Sequence, residues 1–473
     1  MFRRLFPLLL IAASGGSPAE PPIYFAHEEA GIGDPNPFFE NGVYSVFYLK
    51  NEGRHPWWMT QSSDLATWSR PVEIVPVGKP GTADYWTGSG SIIADPTGGY
   101  RLYYTGHDPE GRPKEVVMEA RAPTLAGPWR KVPETTFAGL PDYDQWDFRD
   151  PFVLWNAEAK AYWMLLTTRH GGKAAIGLYT SPDLARWTAA PPLYKEDSPL
   201  NLEVADLFAE GNDWFLLYSD QRGQSRQVRY LTAADSAGPY AYGPYDALDG
   251  RGFYAGKSAG TGEDRLLFGW VAHKRLRKDA LGFVWGGDLI AHALRRTDTG
   301  ALAVSLPDDI ASQFVTERAK LSAAAVEIGA ADKALLVSAD VRVKPGDRFG
   351  IAFNATNSGR ISTIELDTVK GQAAFLYNGD PANAPRIAFP PNAQGRYTLD
   401  LMVDPKLGLG IVYINDFRAL SFRYYRIGDT TLSLFADGGF AGLTGSVRVR
   451  SADMTSPVSR KPAAAPSAAP ARM

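Results

Sequence analysis

The chain is organised by a recurring strand pattern. Five runs alternate aromatic and aliphatic side chains: Val43-Tyr44-Ser45-Val46-Phe47-Tyr48, Tyr100-Arg101-Leu102-Tyr103-Tyr104, Tyr162-Trp163-Met164-Leu165-Leu166, Trp214-Phe215-Leu216-Leu217-Tyr218 and Arg265-Leu266-Leu267-Phe268-Gly269-Trp270. Each is five or six residues long and rich in β-formers, so each predicts a strand. They return every 50–62 residues, a period compatible with the blades of a propeller. A turn rides on the same period. Ser63-Asp64-Leu65-Ala66-Thr67-Trp68 returns as Pro182-Asp183-Leu184-Ala185-Arg186-Trp187, with looser copies at Leu125-Ala126-Gly127-Pro128-Trp129 and Ala237-Gly238-Pro239-Tyr240. Four short strands fit in each repeat and no helical period interrupts them. The pattern predicts an all-β fold that begins with a five-bladed β-propeller; a large β-sandwich with coincidentally similar hairpins is the competing architecture.

After Pro307 the texture changes. Asp308 to Phe314 predicts a short capped helix or connector. Alternating strands then resume at Leu335–Val343, Arg348–Asn354, Ser362–Thr368, Thr398–Val403, Gly410–Ile414, Thr431–Phe435 and Gly445–Val449, separated by Gly, Asn, Asp and Pro turns, which predicts a β-sandwich. The domain plan is therefore a leader over 1–19, a propeller over 20–305, a connector over 306–333, a sandwich over 334–454 and a disordered Pro/Ala tail over 455–473. Arg3 and Arg4 precede the apolar run Leu5 to Ala13, and Ser17-Pro18-Ala19 supplies the small residues of a cleavage site, so the protein is expected to be exported. That run is too short for a membrane span, and no membrane anchor is expected in the mature chain.

Composition narrows the chemistry. Of 473 residues, 49 are Lys or Arg and 52 are Asp or Glu, a formal charge of −3, which gives no basic footprint for nucleic acid. There is no Cys, which removes disulfides, thiolate nucleophiles and Cys-ligated metals. The 12 Trp and 22 Tyr suit sugar faces.

In a propeller the first strand of each blade lines the central channel, so the stretch about ten residues upstream of each aromatic run matters. Those stretches read Gly33-Asp34-Pro35-Asn36, Thr87-Gly88-Ser89-Gly90, Arg149-Asp150-Pro151, Glu203-Val204-Ala205-Asp206 and Phe253-Tyr254-Ala255-Gly256-Lys257. Three carry an acid, so Asp34, Asp150 and Glu203 are expected to meet at one end of the channel. Clustered carboxylates suit glycoside cleavage: one protonates the leaving oxygen, and another attacks or activates water. Taken singly, Asp-Pro is a common turn dipeptide and Glu203 fits an exposed strand end; the shared position favours function. Without a nearby His pair no transition metal is expected, and no cofactor; a channel Ca²⁺ stays open. Arg149 is a candidate to orient a carboxylate or bind a sugar hydroxyl, and Trp57, Trp58, Trp86 and Trp146 are candidate walls.

The chain resembles glycoside hydrolase family 32, the β-fructosidases of clan J. Phe148-Arg149-Asp150-Pro151 is similar to the family's Arg-Asp-Pro motif, and Leu202-Glu203-Val204-Ala205-Asp206-Leu207-Phe208 to its Glu-Cys-Pro-Asp-Leu-Phe motif with Val204 for Cys. Trp86-Thr87-Gly88-Ser89 resembles Phe-Ser-Gly-Ser; Phe253 to Lys257 with Phe268-Gly269-Trp270 resembles the fifth-blade signature. Tyr413-Ile414-Asn415-Asp416 and Leu434 to Gly439 resemble the C-terminal module. The resemblance implies Asp34 as nucleophile, Asp150 as transition-state stabiliser and Glu203 as acid/base in a retaining mechanism on an oligosaccharide or polysaccharide. Asn36, Trp58, Trp86, Thr87, Arg149, Tyr254 and Lys257 are the substrate-binding candidates.

Two departures bear on specificity. The family's Trp-Met-Asn-Asp-Pro-Asn-Gly reads Gly31-Ile32-Gly33-Asp34-Pro35-Asn36-Pro37 here, and Leu49 stands where Gln usually follows Phe-Tyr. Two side chains that would bond fructosyl hydroxyls are absent, so a related furanoside is a credible substrate. The competing functions are a family-43-like inverting arabinofuranosidase or xylosidase, and a sugar-binding propeller without turnover.

Overall fold

The five aromatic runs each form the second strand of an antiparallel unit. They span Val43–Lys50, Tyr100–His107, Ala161–His170, Asp213–Asp220 and Leu266–Lys274. Nearly all their side chains are buried on both faces, because sheets stack on either side of each unit. The computed structural model describes residues 23–27, 30–139, 143–222, 226–322, 327–437 and 443–452. The expected leader over 1–19 and tail over 455–473 lie outside the described residues, as do Gly438 and Gly439 of the C-terminal motif.

Preceding each second strand is a first strand: β1 (Ile32–Glu40), β2 (Trp86–Ala94), β3 (Phe148–Asn156), β4 (Leu202–Glu210) and β5 (Phe253–Ala259). These pack on one another in cyclic order, β1 against β2, β2 against β3, β3 against β4, β4 against β5 and β5 against β1. Outer strands such as Glu115–Ala122 and Lys173–Ser181 complete the units. Backbone pairing joins the first and last units into one eight-stranded sheet, so the described residues of this region form four hydrogen-bonded sheets and not five. The join is one pair, Ile32 with Gly287. It exists because the strand β6 (Phe283–Arg296), 14 residues long, reaches both β1 and its own neighbours.

The repeated turn is the same structure twice. Asp64 Oδ1 accepts from Ala66 N and Thr67 N (3.1 and 2.7 Å), Asp183 Oδ1 accepts from Ala185 N and Arg186 N (3.0 and 3.1 Å), and Leu65 and Leu184 sit at φ 55° and 61°. The carboxylate replaces backbone partners the turn lacks, which is why Asp recurs there.

Beyond a one-turn helix at Asp308–Ala311, two six-stranded antiparallel sheets face each other across one core, with Val337, Leu399 and Leu401 from one and Ile351, Phe353 and Phe375 from the other. Two of their strands, Thr316–Ser322 and Glu327–Ala330, fall in the stretch read as a connector. Both are edge strands whose residues are largely exposed, so neither carries the alternation that marks a buried strand. Gln372–Leu376, Arg386–Ala388 and Arg418–Arg423 are further strands absent from the sequence reading.

Buried ionic groups join the two regions. Asp249, fully buried, accepts from Ser421 N (2.7 Å), Ser421 Oγ (2.5 Å) and His292 Nε2 (3.1 Å). Arg423 donates to Asp288 (2.7 Å), Leu407 O (2.8 Å) and Val271 O (2.6 Å). Asp249→Ala strands these donors without water, and unfolding free energy is expected to fall by about 3–5 kcal/mol, with Asp249→Asn losing less. Urea denaturation at neutral pH checks this; a loss under about 1 kcal/mol would show that water takes over the donors.

Candidate active site

Each first strand carries an irregularity at the same level. In β1, β3, β4 and β5 the inserted pairs are Asp34-Pro35, Asp150-Pro151, Val204-Ala205 and Ala255-Gly256, each facing a single residue of the second strand. In β2 Ser89 is the extra residue. A bulge of this kind bends the strand and re-aims side chains. The first residue of each inserted pair is left-handed: Asp34 φ 40°, Asp150 φ 57°, Val204 φ 57° and Ala255 φ 54°. Asp tolerates this region; a β-branched Val does not, so Val204 stores strain beside Glu203. The alignment corrects the sequence reading by one residue. Asp34 and Asp150 are true equivalents, whereas Glu203 precedes its bulge and is equivalent to Arg149 and Tyr254.

The three acids nevertheless converge on one cavity of about 300 Å³. Glu203 is held at both oxygens: Arg149 donates to Oε1 (2.9 Å) and Tyr254 OH to Oε2 (2.8 Å). Asp150 Oδ2 accepts from Thr167 Oγ1 (2.8 Å) and Val204 N (3.2 Å). Among the described residues Asp34 has a single weak donor, Trp270 Nε1, at 3.4 Å. Burial, reinforced by repulsion from Asp150 and Glu203, lifts the Asp34 carboxyl to about 7. Burial lifts Asp150 to about 6 against the pull of Arg149.

These shifts have a stability consequence. A carboxyl whose folded pKa is raised binds its proton more tightly when folded. Its favourable contribution is complete below about pH 4 and is lost as pH rises through about 7. Asp34→Asn removes the ionisation, so the variant is expected to be more stable than the parent by about 2–4 kcal/mol at pH 8 and equal to it near pH 4. Thermal melts across that range check the sign; a variant no more stable at pH 8 would show that Asp34 is not desolvated as its surroundings indicate.

The other candidates divide. Trp86, Thr87, Arg149 and Tyr254 line the cavity. Asn36 and Lys257 are buried beneath it: Lys257 Nζ donates to Asn36 Oδ1 (2.7 Å) and Gly90 O (2.5 Å), and Asn36 Nδ2 donates to Asp34 O (2.6 Å). They brace the bulge rather than face the cavity. Trp58 is elsewhere, in a separate cavity of about 890 Å³ with Phe25 and Trp68. Trp57 is fully buried core, and Trp146 is 51% exposed with Arg112 over its ring. Among the described residues no group of three or more His, Cys, Asp and Glu is placed to hold a metal ion.

Sequence reasoning missed Glu115, His55, His107, Arg226 and Trp285, all of which line the cavity. Glu115 accepts from Phe148 N (2.9 Å) and Arg149 (3.2 Å), fixing the guanidinium that holds Glu203. Trp285 explains Gly33: a Cβ at residue 33 would lie 2.1 Å from the Trp285 ring. The indole stacks on His55 at 4.2 Å, and burial with the nearby His107 lowers His55 to about 4, so that ring is neutral. No motif flags these residues because they come from loops, outer strands and the far end of a second strand.

The family model for the glycosyl hydrolases family 32 N-terminal domain matches residues 25–290, which carry all five first strands and all three acids. The chain belongs to glycoside hydrolase family 32. Its family 32 relatives include a β-fructofuranosidase, insoluble isoenzyme, of Arabidopsis thaliana, 28% identical over 201 residues, covering 39% of this chain and 34% of the relative. The levanase of Bacillus subtilis is 28% identical over 335 residues, covering 59% and 46%. The chain spans half or less of the length of these curated relatives. In fold it is similar to the exo-inulinase of Aspergillus awamori (TM-score 0.72, 17% identity, 91% and 98% of the two chains). It is likewise similar to the sucrose-6-phosphate hydrolase of Lactobacillus gasseri (TM-score 0.73, 18% identity, 91% and 94%).

Proposed function

We propose that this family 32 protein is a retaining glycoside hydrolase that cleaves β-fructofuranosidic or closely related furanosidic bonds in oligo- or polysaccharides. The observation that carries the reading is the convergence of Asp34, Asp150 and Glu203 on one cavity, each in a different hydrogen-bonding state. Asp34, almost free of donors, is the nucleophile that forms the glycosyl ester. Glu203, oriented by Arg149 and Tyr254, protonates the leaving oxygen and then takes the proton of the incoming water. Asp150, anchored at Oδ2, presents its other oxygen to a sugar hydroxyl and to the positive charge that develops at the anomeric centre.

In this reading the cyclic packing of β1 to β5 is the inner ring of a five-bladed propeller, which forms the catalytic domain over 20–305. The sandwich starts at Thr316 and runs to about residue 452, and the N-terminal segment directs export. The test is proton NMR of the first product released from sucrose, inulin, levan and arabinofuranosides, with a fluorinated fructoside as covalent trap. Retained anomeric configuration and a label on the peptide containing Asp34 are expected. Inversion would move the protein to the single-displacement mechanism, and binding without turnover of any substrate would make it a sugar-binding protein.

A further inference from the structure

We propose that Glu115 is a positioning residue for the acid/base: through Arg149 it fixes the direction in which Glu203 presents its carboxyl to the leaving group. The inference rests on the assignment of Glu203 as the acid/base and adds to it a residue that acts through another. Glu115 opens the outer strand Glu115–Ala122, and the register sets it opposite His107, the last residue of the strand Tyr100–His107. Both of its oxygens are committed. Oε1 lies 3.3 Å from His107 Nδ1, and Oε2 accepts from Phe148 N (2.9 Å) and Arg149 Nη1 (3.2 Å). Burial works against the charged form, yet the bond from His107, the charge of Arg149 and the bond from Phe148 N hold this carboxyl below its usual range. Glu115 is therefore an anion at neutral pH, with no proton of its own to give.

What Glu115 fixes is the guanidinium of Arg149. A guanidinium bonded to one carboxylate swings on its long stem, whereas a rigid fork held at one end has its other end aimed. Nη1 donates to Asp147 Oδ1 (2.6 Å) as well as to Glu115 Oε2, and Nη2 is left for Glu203 Oε1 (2.9 Å). Asp147 is held in turn by Asn201 Nδ2 (2.9 Å) and Arg169 Nη2 (3.0 Å). Glu115 adds what Asp147 does not. Its Oε2 bonds the Arg149 side chain and also Phe148 N, so it ties the guanidinium to the backbone of the strand that carries it. The strut runs from the outer strand of the second unit to β3, and from β3 to β4, so three successive units share it.

The test is the leaving-group dependence of turnover in Glu115→Ala and Glu115→Gln, measured with the best saccharide among sucrose, inulin and levan and with aryl β-fructofuranosides of graded leaving-group acidity. Glu115→Ala is expected to lose about 10²-fold on the saccharide, whose leaving oxygen needs a proton, and less than about threefold on the best aryl leaving group, which needs none. The loss should fall on kcat, with KM nearly unchanged. Glu115→Gln keeps one acceptor oxygen for Arg149 and should recover about tenfold of the loss. A merely structural role would lower both substrate classes alike, because Phe148 N is left unbonded whichever group departs. If Glu115→Ala does not fold, Glu115→Gln carries the same comparison. In the Glu203→Gln background, Glu115→Ala should cost less than about twofold more on the saccharide, since it acts through Glu203. Equal losses on the two substrate classes, no loss on either, or a full additional loss in Glu203→Gln overturns the proposal. Absence of the selective loss in Glu203→Gln itself would instead sink the acid/base assignment on which the proposal rests, so the two failures are distinguishable.

Discussion

Asp34→Asn, Glu203→Gln and Asp150→Asn are each expected to cut turnover of the best fructoside by about 10³–10⁵-fold while the protein stays folded. At about 1.4 kcal/mol per decade, each loss corresponds to about 4–7 kcal/mol of transition-state stabilisation. The three should fail differently. Asn at 34 cannot form the ester, so no covalent label accumulates. Gln at 203 keeps an acceptor oxygen for only one of the donors Arg149 and Tyr254 and has no proton to give, so substrates with good leaving groups recover most of the first step and stall at deglycosylation. Asn at 150 retains an acceptor for Thr167 but loses the charge proposed to face the anomeric centre, so labelling is expected to be slowed rather than abolished. Steady-state and burst kinetics with a panel of leaving groups distinguish these outcomes. Near-parental turnover in any of the three would remove that residue from the mechanism.

Gly33→Asn alone is expected to damage the protein rather than restore the family's usual sugar contact. The new Cβ would meet the Trp285 ring at 2.1 Å, and overpacking of this kind costs about 1–3 kcal/mol or displaces the indole from its stack on His55. Gly33 and Trp285 are thus one unit: the ring occupies the volume the polar side chain would take, and Leu49 extends the apolar wall. The parent should be a poor sucrase relative to its true substrate, because unpaired hydroxyls buried against this wall cost about 1–3 kcal/mol each. The triple replacement Gly33→Asn, Leu49→Gln and Trp285→Ala removes ring and clash together and should raise kcat/KM for sucrose by about 10²-fold over Gly33→Asn alone. Full activity in Gly33→Asn, or no gain in the triple variant, would show that these positions do not read the sugar.

How far the site could be read in advance depended on what kind of signal each residue carries. Asp34, Asp150 and Glu203 lie next to Pro or on strands whose period repeats, so counting back from each aromatic run found them. The count misplaced Glu203 by one residue relative to the bulges, because alternation along a strand says nothing about where an extra residue is inserted. Trp58 was assigned to the site by composition, yet its strand carries it to the other side of the sheet, into a different cavity. Glu115, His55 and Trp285 belong to outer strands and loops that reach the cavity only when the units close around it.

By itself the sequence determined that the protein is all-β, that five similar units precede a second β-region, and that acids recur at the head of three of those units. These are local properties: alternation, turn chemistry and period are written residue by residue. Tertiary structure alone decided which acid stays nearly free of donors and which is clamped, and that a tryptophan some 250 residues away fills the space beside Gly33. Those properties come from groups distant in sequence sharing one low-dielectric volume, where burial and mutual repulsion, rather than residue type, set charge, space and reactivity.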